Sequence, residues 1–90
     1  MRLDKFLKVS RIIKRRSVAK EICDRGRVRV NGRNAKAGQD ITAGDVLHLE
    51  FGKRILEVEV LATAQTVRAS QANELYRILS QEEKDEPELL

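Results

Sequence analysis

At Gly26 the spacing of apolar residues changes from about 3.6 to 2, which divides the chain into a helical front and a sheet. Ahead of it, Leu3, Phe6, Leu7 and Ser10 recur at helical spacing, so residues 3–10 read as a short amphipathic helix. A second helix is predicted over residues 17–25, with Ser17 as N-cap and Gly26 just past its end. Val18, Ala19, Ile22 and Cys23 would share its apolar side. Behind Gly26, RVRVNGRNAK alternates Arg with Val and then offers Asn31-Gly32, the dipeptide suited to a type I′ hairpin turn. Val28 and Val30 should face a core, Arg27 and Arg29 solvent. VLHLEF, with Val46, Leu47, Leu49 and Phe51 as its apolar set, and RILEVEVL, with Glu57 and Glu59 outward, continue the strands across a turn at Gly52-Lys53.

The remainder is less regular. ATAQTV is ambiguous and could add an edge strand. SQANELYRILS reads as a helix, with Ala72, Leu75, Tyr76 and Leu79 on one face and Ser70 as cap. QEEKDEPELL is acidic, carries the chain's one proline and reads as a disordered tail. The expected class is α+β: two N-terminal helices on a small, mostly antiparallel sheet of four to five strands, plus a C-terminal helix. The expected division is one domain over residues 1–61, a strand or helix extension over 62–80, and the tail over 81–90.

The charge is divided as sharply as the pattern. Residues 1–36 hold thirteen Lys and Arg against three acidic residues, a net of +10, whereas residues 37–90 carry −6. Such a dipolar chain has one end that seeks a polyanion. Three cations, Lys14, Arg15 and Arg16, stand immediately before the second helix, at its positive pole, where the macrodipole makes cations unfavourable. An anion bound there would reconcile them, which makes this helix start a predicted phosphate site, with Arg16 exposed at its centre.

Catalysis is disfavoured. The sole histidine, His48, falls on the polar phase of a strand, and one Cys with one His makes no zinc site. Glu57 and Glu59 read as a solvated strand face, and no phosphate-binding glycine loop or nucleophile motif occurs. Cys23 reads as a small buried hydrophobe, and a lone cysteine fits a reducing cytoplasm. No apolar run has the length of a signal peptide or membrane span. Among nucleic acids RNA is favoured. The chain has no recognition helix with base-reading Asn or Gln, and its three aromatics, Phe6, Phe51 and Tyr76, include at least two core residues. A rigid cationic surface that follows phosphate spacing is what remains.

The opening R-L-D-K-F-L, the K-R-R-S-x-A helix start, the G-x-V-x-V-N-G hairpin and the later G-D-x-L turn together resemble the RNA-binding domain named after ribosomal small-subunit protein four. That resemblance covers about half the chain and implies the αL motif, in which two helices and a small sheet dock structured RNA. Among stand-alone members, length and the FGKRILEVEVL strand are most similar to the short ribosome-associated quality-control type. The near relative, the heat-shock type that recycles large (50S) subunits, continues into a basic extension, whereas this tail is acidic.

The resemblance implies a factor that binds 23S rRNA and peptidyl-tRNA on obstructed 50S subunits, with an RqcH-type partner that adds alanine to the stalled chain. It implies no cofactor, no membrane and no small-molecule substrate; a monomer is expected. Arg2 and Arg16 match basic positions of the family's RNA-facing surface. The charge argument adds Lys5, Lys8, Arg11, Lys14, Arg15, Lys20 and Arg33. Asp4 matches the motif's acidic residue, as either a holder of arginines or a helix cap. A protein–protein adaptor using the acidic half is the alternative from another class.

Overall fold

The computed structural model describes residues 1–64 and 68–83. Helix α1 (Leu3–Val9) buries Leu3, Phe6 and Leu7, with Asp4 in its first turn and Lys8 in its last, both on the favoured ends of the dipole. It is anchored from outside. The Leu3 and Asp4 N–H groups donate to the carbonyls of Gln39 and Ala37 at 2.8 and 3.1 Å, and the Ile41 N–H donates to the Met1 carbonyl at 2.8 Å. The helix stops at Ser10, and Arg11 takes the left-handed conformation (φ 60°) normally reserved for glycine. Its N–H donates to the Lys8 carbonyl at 3.0 Å and that of Ile13 to Leu7 at 3.1 Å, which turns the chain towards the second helix.

Helix α2 (Arg16–Asp24) begins one residue earlier than the sequence predicts. The N-cap is Arg15, extended and without a side-chain cap, because its carbonyl closes the first turn by accepting from the Val18 and Ala19 N–H groups, each at 3.1 Å. Ser17 is therefore inside the helix. Ala19, Ile22 and Cys23 are buried as expected, but Val18 remains 37% exposed. The C-terminus follows the expected chemistry. Gly26 (φ 73°) donates to the Cys23 carbonyl and Arg27 to that of Ile22, the paired bonds of a Schellman motif.

The sheet has the order β2-β1-β3-β4-β5, antiparallel throughout. Strands β1 (Val28–Val30) and β2 (Arg33–Asn34) are joined by Asn31 and Gly32, both at positive φ (52° and 82°), as a type I′ turn requires. Asn31 also clips this hairpin to its neighbour. Its Oδ1 accepts the Val46 N–H at 2.9 Å while its Nδ2 donates to Asp45 at 3.1 Å. Strands β3 (Val46–Phe51) and β4 (Arg54–Val60) pair along their full length. Leu47, Leu49, Leu56, Val58 and Val60 face the helices, forming one core with Leu3, Phe6, Leu7, Ala19 and Ile22. Each such aliphatic side chain contributes about 1.5–3 kcal/mol on burial.

The C-terminal part departs from expectation. Residues Ala69–Leu75 form a 3₁₀ helix, and Tyr76–Glu83 form strand β5 against β4, where an α-helix through Ser80 was expected. Ala72 and Leu75 are buried, but Ile78 and Leu79 are 48% and 44% exposed. The edge of β4 offers a row of unpaired backbone groups, and satisfying them outweighs the helical pattern of the side chains. Gln81, Glu82 and Glu83, placed by the sequence reading in the tail, pair with Leu56, Ile55 and Arg54. The remaining tail, 84–90, and the second half of ATAQTV, 65–67, lie outside the described residues; Ala62 to Ala64 carry no strand. No helix among the described residues is long and apolar enough to cross a membrane.

Candidate nucleic-acid interface

The N-terminal helices centre on one buried acid. Asp4 sits at the start of α1 with its side chain 3% exposed, and two arginines close on it from different elements. Arg2 places Nε 3.1 Å from Oδ1 and Nη2 3.3 Å from Oδ2. Arg16, from the start of α2, places Nη2 3.4 Å from Oδ1 and Nε 3.3 Å from Oδ2. The Lys5 backbone N–H adds a third donor at 2.8 Å. Burial by itself would raise the Asp4 carboxyl, but the hydrogen bonds from Arg16, Arg2 and the Lys5 N–H outweigh it and hold the group below the ordinary carboxylate range. Asp4 thus both holds the arginines and receives a bond from the first turn of its helix.

At the start of α2, Arg16 is exposed and at the same time tied to Asp4. Its side chain is 47% exposed and that of Arg2 is 52% exposed, so each guanidinium has one side on the carboxylate and the other open to solvent. One carboxylate against two guanidinia leaves a net positive charge at the surface.

The other predicted cations are distributed around this pair. Lys8 on α1 and Lys20 on α2 are exposed, and Lys5 is half-buried. Arg11, Lys14 and Arg15 lie on the turn between the helices, and the fold gathers them along one groove of 510 Å³. No ion pair neutralises Lys8, Arg11, Lys14, Arg15 or Lys20 among the described residues. Arg25, by contrast, is paired with Glu21 at 2.8 Å, and Arg77 with Glu59. Arg33 is exposed on the edge strand β2. Arg54 of β4, which the sequence reading passed over, lines the same groove as Arg11, Lys14 and Arg15. Its signal was the turn at Gly52-Lys53, which brings the start of β4 back beside Phe51.

The residues weighed for chemistry are placed without a catalytic arrangement. His48 is half-exposed, with Nδ1 3.7 Å from Glu57 and Nε2 4.0 Å from Glu50. Glu57 and Glu59, on the strand flanked by β5, are half-buried rather than fully solvated. Burial, with Asp4 and Asp24 adding, pushes the Cys23 thiol up to about 11, which keeps it protonated and inert at neutral pH.

Comparison with known proteins agrees with this geometry. Residues 1–47, spanning both helices, the hairpin and the start of β3, match the S4 domain family. Two relatives named RQC P-site tRNA stabilizing factor cover nearly their whole length. The protein of Halalkalibacterium halodurans is 51% identical over 91% of this chain and 93% of its own. That of Bacillus subtilis is 48% identical over 96% of this chain and all of its own, 100%. The trimeric structure of Vibrio cholerae Heat Shock Protein 15 superposes with a TM-score of 0.82 at 31% identity, over 89% of this chain and 82% of that one. The chain belongs to the S4 domain family and, within it, to the group of RQC P-site tRNA stabilizing factors.

Proposed function

We propose that the protein is a non-catalytic RNA-binding factor of ribosome-associated quality control, which acts in the cytoplasm on obstructed large subunits. It holds peptidyl-tRNA against 23S rRNA and so supports alanine tailing of the stalled chain by an RqcH-type partner. The observation that carries this reading is the helix-turn-helix surface. Arg2 and Arg16 are oriented by a shared buried carboxylate, and the turn between the two helices carries Arg11, Lys14 and Arg15 without acidic partners among the described residues. Guanidinium forks with one free side suit phosphates gripped through two oxygens. Lys5, Lys8, Lys20 and Arg33 extend the positive field, and one copy acts per subunit. The names of the relatives support the tRNA as one of the two RNA partners.

The test is sedimentation with isolated large subunits carrying peptidyl-tRNA, compared with empty subunits and whole ribosomes, followed by an alanine-tailing reaction with and without the protein. Preferential binding to the tRNA-bearing subunits, with tailing dependent on the protein, is the expected result. Equal binding to empty subunits and no effect on tailing would refute it. A second reading, recycling of large subunits as in heat-shock members, draws on the similarity to Heat Shock Protein 15. It predicts full binding without the RqcH-type factor and no requirement in tailing.

A further inference from the structure

The groove beside the phosphate-gripping surface has an apolar floor that ionic contacts alone do not explain. Ile12, Ile13, Val18 and Phe51 form this floor, while Arg11, Lys14, Arg15 and Arg54 form the rim, and no acidic residue among the described residues lines it. Phe51 is not a closed core residue. One part of it packs against the core and the rest stays accessible, unlike Phe6, which is fully buried. The Arg54 guanidinium lies over the Phe51 ring, 5.5 Å from its centroid, and Arg54 is itself exposed. A guanidinium held over an aromatic ring, with its outer side open, offers a flat surface to another ring.

We propose that this groove receives one unstacked nucleobase of the bound RNA. The base stacks on the Phe51–Arg54 pair over the Ile12–Val18 floor, and its flanking phosphates lie along Arg11, Lys14 and Arg15. Charge selects this occupant, because a flat apolar ring that carries an anion on each side matches an apolar floor inside a cationic rim. At 510 Å³ the groove falls within the range of sites that enclose small organic groups. The inference rests on the RNA-binding function proposed above and deepens it. The surface would then read a bulged or looped position as well as phosphate spacing.

The experiment compares two short RNA hairpins, one with a single bulged fluorescent purine analogue and one fully paired, by anisotropy and by analogue emission. The bulged hairpin should bind about fivefold or more tighter, since stacking one base is worth that at the low end of measured values. Its analogue should be quenched on binding. Phe51→Leu keeps the apolar packing and removes the ring; it should bring the preference within about twofold and abolish the quenching, with paired-hairpin affinity unchanged. Arg54→Ala, at an exposed position, should reduce the same preference without touching the core, and thermal melting checks that both variants are folded. Equal affinity for the two hairpins, or quenching that survives in both variants, overturns the proposal. Salt-sensitive binding of both hairpins without preference would leave the phosphate-led reading standing and remove this one. Binding of neither would remove both.

Discussion

Replacing Arg16 by alanine removes one of two guanidinia from a carboxylate that is almost wholly withdrawn from water. A charge-assisted hydrogen bond to a buried acceptor is worth roughly 1.5–3 kcal/mol, whereas an exposed ion pair is worth about 0–1 kcal/mol. Arg16 lies between these cases, with its side chain 47% exposed and that of Asp4 3% exposed. Arg2 and the Lys5 N–H stay on the carboxylate and limit the loss. The expected cost is about 1–2 kcal/mol, at roughly 4–8 °C in Tm per kcal/mol for a domain of this size. Urea unfolding followed by far-UV circular dichroism measures it, with Lys14→Ala as the control. Lys14 is exposed without an ion pair, so that variant should stay within about 0.5 kcal/mol of wild type. The cycle of Arg16→Ala with Asp4→Asn should give a coupling above about 0.5 kcal/mol, beyond the additivity of independent sites. An Arg16→Ala protein within about 0.5 kcal/mol of wild type, with no coupling to Asp4, would refute the tethered geometry.

Three further outcomes are expected. Because the Asp4 carboxyl is held below its unfolded value of about 3.9, its contribution is complete above that pH and disappears as pH falls through the folded value. The stability gap between wild type and Asp4→Asn should therefore be open at neutral pH and closed at the acid end of a urea-unfolding series. Arg11→Gly should relieve the left-handed backbone and raise stability by about 0.5–1 kcal/mol while weakening RNA binding in filter assays, so that the two effects move in opposite directions. Deleting residues 84–90 should leave RNA affinity unchanged. Deleting 81–90 removes the partners of Leu56, Ile55 and Arg54 and should cost about 1 kcal/mol by thermal melting, with RNA affinity still intact. Loss of RNA binding in either truncation would contradict the placement of the interface on the helices.

Both helices, the Asn31-Gly32 hairpin and strands β3 and β4 were legible because their signals are local: apolar period, a glycine past a helix end, a turn dipeptide. Strand β5 was not. Leu75, Tyr76 and Leu79 keep helical spacing, and Ile78 and Leu79 remain largely exposed, so the side chains carry no period of two. What makes this segment a strand is the free edge of β4, a partner distant in sequence. The basic surface was legible as composition, but its organisation was not. That Arg16 bends back to Asp4, twelve positions earlier, depends on how α1 and α2 pack. The Ser17 N-cap was a reasonable local choice that the Arg15 carbonyl displaces. Phe51 read as one of the apolar set of its strand, and only the position of the β3–β4 turn leaves part of its ring open.

The shared carboxylate has a consequence for the entropy of recognition. A free arginine side chain carries about 2 kcal/mol of rotamer entropy, most of which a ligand must overcome to fix it. In this fold Asp4 removes much of that freedom from both Arg2 and Arg16 when the helices pack, before any partner arrives. The two guanidinia also inherit a common origin, so their separation and tilt are set by one carboxylate rather than by two independent chains. A phosphate pair that fits this spacing meets little ordering penalty, and one that does not cannot recruit the arginines by letting them wander. The buried acid thus converts two flexible charges into a rigid gauge.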